Sequence, residues 1–95
     1  MLRKISVYFQ RIIPILKKNG AVRAGVFGSF ARGEFHKKSD IDLVIKLKAG
    51  KTLLDLVGLE MELEKKMGRK IDLLTYDSIH PLLKKNILSQ QIRIL

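Results

Sequence analysis

The residues best suited to chemistry in this chain are three aspartates and a glycine-serine pair. Asp40-Ile41-Asp42 opens a segment, Asp40 to Leu47, that alternates and then becomes apolar, as a strand would. Strand side chains alternate between faces, so Asp40 and Asp42 are expected on one side, with Ile41 and Leu43 turned into the core. Neighbouring carboxylates repel. Such a pair persists when a divalent cation lies between them or when one of them is protonated. Asp72, within Lys70-Ile71-Asp72-Leu73-Leu74, joins them if its strand lies beside that of Asp42. Three carboxylates on adjacent strands form an oxygen-rich site suited to Mg²⁺, and two ions in such a site can activate a hydroxyl and stabilise a departing diphosphate.

Gly28-Ser29 directly follows a β-rich apolar segment, Ala21 to Phe27. A glycine there lets the backbone approach a phosphate, and Ser29 adds a hydroxyl. Ser29 to Ala31 are expected to begin a helical turn whose free N–H groups face anionic oxygens. Neither GxxxxGK(S/T) nor GxGxxG occurs. A Gly-Ser turn, an Asp-x-Asp or a single Asp is each ordinary by itself. Their combination points to a site.

Other reactive residue types read as structural. His36, Lys37 and Lys38 belong to a solvated basic loop, although the two lysines could equally attract a triphosphate. His80, before Pro81, reads as a surface residue, and Tyr8, Tyr76, Phe27 and Phe30 as packing residues.

The elements that must hold these residues follow from periodicity and punctuation. Leu2 to Lys18 is helical, with Pro14 expected to kink it or start a second helix, and Asn19-Gly20 is its stop. Gly28 to Lys38 is a loop. Ala49-Gly50 turns the chain, and Thr52, as N-cap, opens an amphipathic helix to Met67 whose apolar face is read as Leu53, Leu56, Val57, Met61, Leu63 and Met67. Lys70 to Thr75 is a short strand, Ser78 caps a last helix to about Leu88, and Ile92 to Leu95 adds a terminal strand. The order predicts one α/β (α+β) domain over residues 1–95, a small mixed sheet flanked by helices.

Composition agrees with a folded domain of modest core: 95 residues, 46% apolar, without cysteine and hence without disulfides or thiolate metal sites. No apolar run approaches a membrane span, and the N-terminus lacks the pattern of a secretory signal, so the cytoplasm is the expected compartment. The formal charge of +10, from 19 basic and 9 acidic residues, favours anionic partners. The basic residues are scattered along the chain, so direct nucleic-acid binding is not expected from their distribution.

Gly28-Ser29-Phe30-Ala31-Arg32-Gly33-Glu34, followed by Ser39-Asp40-Ile41-Asp42-Leu43, resembles the signature of the polymerase-β-like nucleotidyltransferase superfamily, including the ten residues between Ser29 and Asp40. GSxARG with SDIDL is similar to its minimal nucleotidyltransferase (MNT) branch. The resemblance implies that Asp40, Asp42 and Asp72 are catalytic and hold one or two Mg²⁺ ions, with Asp72 helping to activate the acceptor. It implies that Gly28 and Ser29 hold the triphosphate of ATP. Arg32 then either contacts phosphate or braces the loop by an internal ion pair, and Ser39 fixes the loop. The resemblance further implies an antitoxin that forms a hetero-oligomer with a HEPN-domain ribonuclease toxin and blocks it by transferring AMP to a tyrosine hydroxyl. The alternatives are transfer to a small hydroxylated molecule such as an antibiotic, or neutralisation by binding alone.

Overall fold

A computed structural model describes residues 2–34 and 39–95; the expectations for His36, Lys37 and Lys38 lie outside these residues. The first helix, α1 (Leu2–Lys18), is continuous, and Pro14 sits within it on the exposed side instead of dividing it. Ile12 and Leu16 line its buried side. Asn19 closes the helix: its backbone N–H donates to Ile15 and Leu16, its side-chain amide donates to the Ile15 carbonyl at 2.8 Å, and Gly20 follows at positive φ.

Strand β1 (Ala21–Phe27) runs straight into a five-residue helix, α2 (Gly28–Arg32), which Gly33 ends in the left-handed region at φ 72°. Strand β2 (Ile41–Leu47), helix α3 (Leu53–Met67) and strand β3 (Ile71–Thr75) make a parallel crossover unit. A 3₁₀ turn (Tyr76–Ser78), helix α4 (Pro81–Gln90) and a two-residue strand β4 (Ile92–Arg93) follow. The sheet order is β3-β2-β1-β4, with β1 antiparallel to both β2 and β4. The mixed sheet flanked by helices is the expected architecture.

One sheet face is the core. Ala24 and Val26, Ile41, Leu43 and Ile45, and Ile71 and Leu73 pack against Ile12 and Leu16 of α1 and Leu59, Leu63 and Met67 of α3, with Phe30 filling the end. By alternation the opposite face carries Arg23, Gly25 and Phe27 of β1, Asp42, Val44 and Lys46 of β2, and Asp72 and Leu74 of β3. Gln91 lies on that face, where its side chain fills the space a Cβ on Gly25 would need.

Three local expectations are corrected. The strand of Asp42 begins at Ile41, so Asp40 precedes it instead of opening it. In α3 the buried line is Leu59, Leu63 and Met67 with Leu56 partly covered, whereas Leu53, Val57 and Met61 are 74%, 46% and 65% exposed. The helix carries two apolar stripes, and periodicity alone does not say which one meets a sheet. Thr52 does cap it, in a capping box with Asp55. Finally, Ser78 closes the 3₁₀ turn through Thr75, while α4 is capped by His80, whose Nδ1 accepts from the Leu82 N–H at 3.1 Å. Pro81, needing no donor, then takes the first helical position.

Candidate active site

The end of β1 and the beginnings of β2 and β3 meet at one edge of the sheet. Phe27 is the register partner of Asp42, and Asp42 is the register partner of Asp72. Side chains directly opposite on neighbouring strands stand on the same face, so the two carboxylates are brought together by the ladder itself. Asp40 lies two residues upstream, at the mouth of β2. Ile41 and Leu43 are fully buried on the other face, which fixes the register: a slip of one residue would drive Asp42 into the core.

Asp42 is half-buried and its pKa is pushed up to about 6. Burial is the largest cause, followed by the negative charges of Asp72 and then Asp40; the Arg32 guanidinium acts in the opposite sense, and a hydrogen bond with the Asp72 carboxyl favours the protonated form. The tightest pair is thus Asp42 with Asp72, and not the Asp40–Asp42 couple that alternation within one strand suggests. Asp40 and Asp72 are exposed. Glu60 of α3 also has a raised pKa, from burial first and then from Glu64 and Asp72, so the helix brings a further acid toward the same edge.

Among the described residues, no three acidic, histidine or cysteine side chains stand close enough to hold a metal ion as they are placed. The donor chemistry of the pair nevertheless fits a divalent cation. The half-buried Asp42 carboxylate is repelled by the charges of Asp72 and Asp40, and a cation relieves that repulsion. Asp42 and Asp72 are the residues that would hold it, with Asp40 alongside.

Gly28 lies at φ 69°, beneath Asp42; a Cβ built there would overlap Asp42 Oδ2. The sequence reserves that space for a phosphate, and in the structure the carboxylate of Asp42 fills it. Ser29 is half-buried in the first turn of α2, and its carbonyl accepts from the Glu34 N–H at 2.9 Å. Arg32 Nε donates to Glu34 Oε2 at 3.1 Å, which is the bracing contact, while its charge still reaches Asp42.

Two residues that periodicity and motif gave no reason to select hold this edge together. Arg69 Nη1 donates to the Ser39 carbonyl at 3.0 Å and Nη2 to Tyr8 Oη at 2.9 Å, with its guanidinium 5.1 Å from the Tyr8 ring centroid and 5.3 Å from that of Phe30. One side chain thereby ties α1, α2 and the residue before Asp40. Glu64 Oε2 accepts from the Ile71 N–H at 3.1 Å, anchoring the residue before Asp72 to α3. Only the position of Arg69, next to the helix-ending Gly68, hints at its place in the sequence.

A mixed sheet presents two in-register aspartates beside a strand–Gly-Ser–helix turn, the arrangement that the resemblance to nucleotidyltransferases implies. The chain belongs to the nucleotidyltransferase domain family, whose sequence profile matches residues 9–94. It is 52% identical over 86 residues, covering 90% of this chain and 92% of the relative, to a protein of Methanocaldococcus jannaschii provisionally named a protein adenylyltransferase. It also matches a provisionally identified minimal nucleotidyltransferase of known structure, with TM-score 0.82 and 34% identity over 96% of this chain and 93% of the other. A chain from the complex of the tri-AMPylated HEPN toxin and MNT antitoxin of Shewanella oneidensis shares the fold at TM-score 0.76 and 18% identity, over 96% of this chain and 71% of that one. The protein is a nucleotidyltransferase.

Proposed function

We propose that this protein is an Mg²⁺-dependent protein adenylyltransferase of the cytoplasm that acts as the antitoxin of a HEPN-domain toxin, transferring AMP from ATP to a tyrosine hydroxyl of that partner. The observation that carries the reading is the in-register pair Asp42 and Asp72, with Asp42 half-buried and easily protonated. Mg²⁺ bound there would neutralise the triphosphate and favour departure of diphosphate. The acceptor oxygen forms a bond to the α-phosphorus, the bond from that phosphorus to the bridging oxygen breaks, and diphosphate leaves. Asp72, exposed beside Asp42, takes the phenolic proton, since an unactivated phenol is a weak nucleophile at neutral pH. Gly28, directly beneath Asp42, and Ser29 after it would offer backbone N–H groups and a hydroxyl to the triphosphate, and Arg32, whose charge acts on Asp42, would add a cation.

The acceptor class is argued from exposure and from relatives. Asp40 and Asp72 lie open on the surface, and a hydroxyl presented by a folded protein brings its own interface, whereas small molecules favour enclosing pockets. The similarity to a protein adenylyltransferase and to a toxin complex that carries AMP supports the same class. Incubation with ATP, Mg²⁺ and a HEPN-domain partner should add one or more AMP groups by intact mass. Asp40→Asn, Asp42→Asn and Asp72→Asn should add none. An unmodified partner together with efficient adenylylation of an aminoglycoside would establish the small-molecule reading. Neutralisation by all three variants would establish binding alone.

A further inference from the structure

The basic residues that look scattered along the chain do not stay scattered. At the carboxyl ends of β2 and β3, the end of the sheet opposite the aspartates, the fold forms a cleft of about 620 Å³. Arg23 comes from β1, Lys46 from β2, Lys48 and Lys51 from the turn into α3, and Lys84 from α4; one carboxylate, Asp77, lies among these five cations. Among the described residues none of the five is in an ion pair. Like charges gathered in a concavity repel, and they raise the local concentration of anions.

The cleft also has a platform. The Arg23 guanidinium lies 4.7 Å from the centroid of the Tyr76 ring, and Tyr76 is held in place by a 2.9 Å hydrogen bond from its hydroxyl to Gln91 Oε1. Arg23 is exposed, so this stack presents a planar cation to solvent. Nucleobases stack on such planes, and cations flanking an aromatic platform are the recurring arrangement for unpaired strands. A carboxylate-bearing peptide would use the lysines but leave the platform idle. Lys46 lies four residues beyond Asp42 along β2, roughly 13 Å at the rise of a strand, so the cleft is separate from the carboxylate edge.

We propose that this cleft binds single-stranded nucleic acid, its phosphates on Lys48, Lys51 and Lys84 and one base stacked on the Arg23–Tyr76 pair. This does not depend on the acceptor of AMP transfer.

The test is fluorescence anisotropy with labelled eight-residue RNA and DNA strands of equal sequence, titrated over a range of salt. Each phosphate neutralised on a single strand contributes about −0.7 to the slope of log affinity against log salt, so Lys48→Ala/Lys51→Ala should make the slope shallower by about 1.4. Arg23→Lys keeps the charge and removes the plane; it should leave the slope unchanged while weakening binding roughly 5- to 150-fold, the range for losing one stacked base. Lys65→Ala/Lys66→Ala, at the far end of α3, controls for net charge and should have a smaller effect than the cleft pair. Preference for one strand type identifies the source. The proposal is overturned by an absence of binding, by a control pair as costly as the cleft pair, by ATP displacing the strand at equal phosphate concentration, or by polyglutamate competing equally well.

Discussion

The carboxylate of Asp42 stands over Gly28, in the space any larger residue at that position would need. The glycine therefore serves its neighbouring strand before it serves a substrate: without a Cβ, β1 can turn into α2 directly beneath the acidic edge. Its φ of 69° lies in the region that side chains avoid, so two independent effects forbid substitution there.

Gly28→Ala should thus displace Asp42 and lower stability by about 1–3 kcal/mol, the usual cost of holding a non-glycine residue in such a conformation. Urea unfolding and the rate of AMP transfer would both register it. Wild-type stability together with a wild-type rate would mean that the carboxylate has room to move away.

The raised pKa of Asp42 makes a signed prediction about pH. A proton is held more tightly in the folded state, to about 6, than in the unfolded chain, at 3.8. Stability from this group is therefore highest below pH 4 and is lost as pH rises toward 6. An asparagine at this position mimics the protonated form and escapes that loss. Asp42→Asn should melt close to wild type near pH 4 and above it at pH 7, with the gap opening between those values. A constant gap across that window would remove burial and Asp72 as the cause.

Arg69 should matter more than its place at a helix end implies. Arg69→Ala removes the guanidinium's contacts with Tyr8, Phe30 and the Ser39 carbonyl together and should destabilise the protein by about 1–3 kcal/mol. Arg69→Lys should rescue poorly, because one ammonium does not reproduce a planar fork that donates in two directions. If the lysine variant equals wild type in melting and in KM for ATP, the brace is only a charge.

The two stripes of α3 should separate cleanly. Leu63→Ala, in the core, should cost about 2–5 kcal/mol, whereas Met61→Ala, 65% exposed, should stay within about 0.5 kcal/mol. Comparable losses from the two variants in chemical denaturation would show that the outer stripe is covered in solution.

Much of the fold was legible in the chain itself. Short punctuated segments located the helices and strands, and the spacing of Gly28-Ser29 and Asp40-Ile41-Asp42 located the acidic edge, because alternation and turn chemistry are local rules. What escaped was non-local. Asp72 could be expected beside Asp42 only on the condition that their strands are neighbours, and that condition depends on α3 returning the chain in parallel. Periodicity could not rank the two stripes of α3, because both are apolar and only the sheet chooses between them. The brace of Arg69 spans the distance from Tyr8, and the clustering of Arg23 with Lys48 and Lys84 appears only after β1, β2 and α4 have met.

The parallel pairing of β2 and β3 also sets a schedule. Asp40 and Asp42 leave the ribosome well before Asp72, with all of α3 between them, and contacts that close such long loops form late. A nascent chain holds its first two acids without the third, and the edge is completed only once the crossover has docked. If Asp72 acts as proposed, competence to handle a nucleotide is tied to completion of the sheet, and a chain halted before β3 lacks one of the three acids at this site.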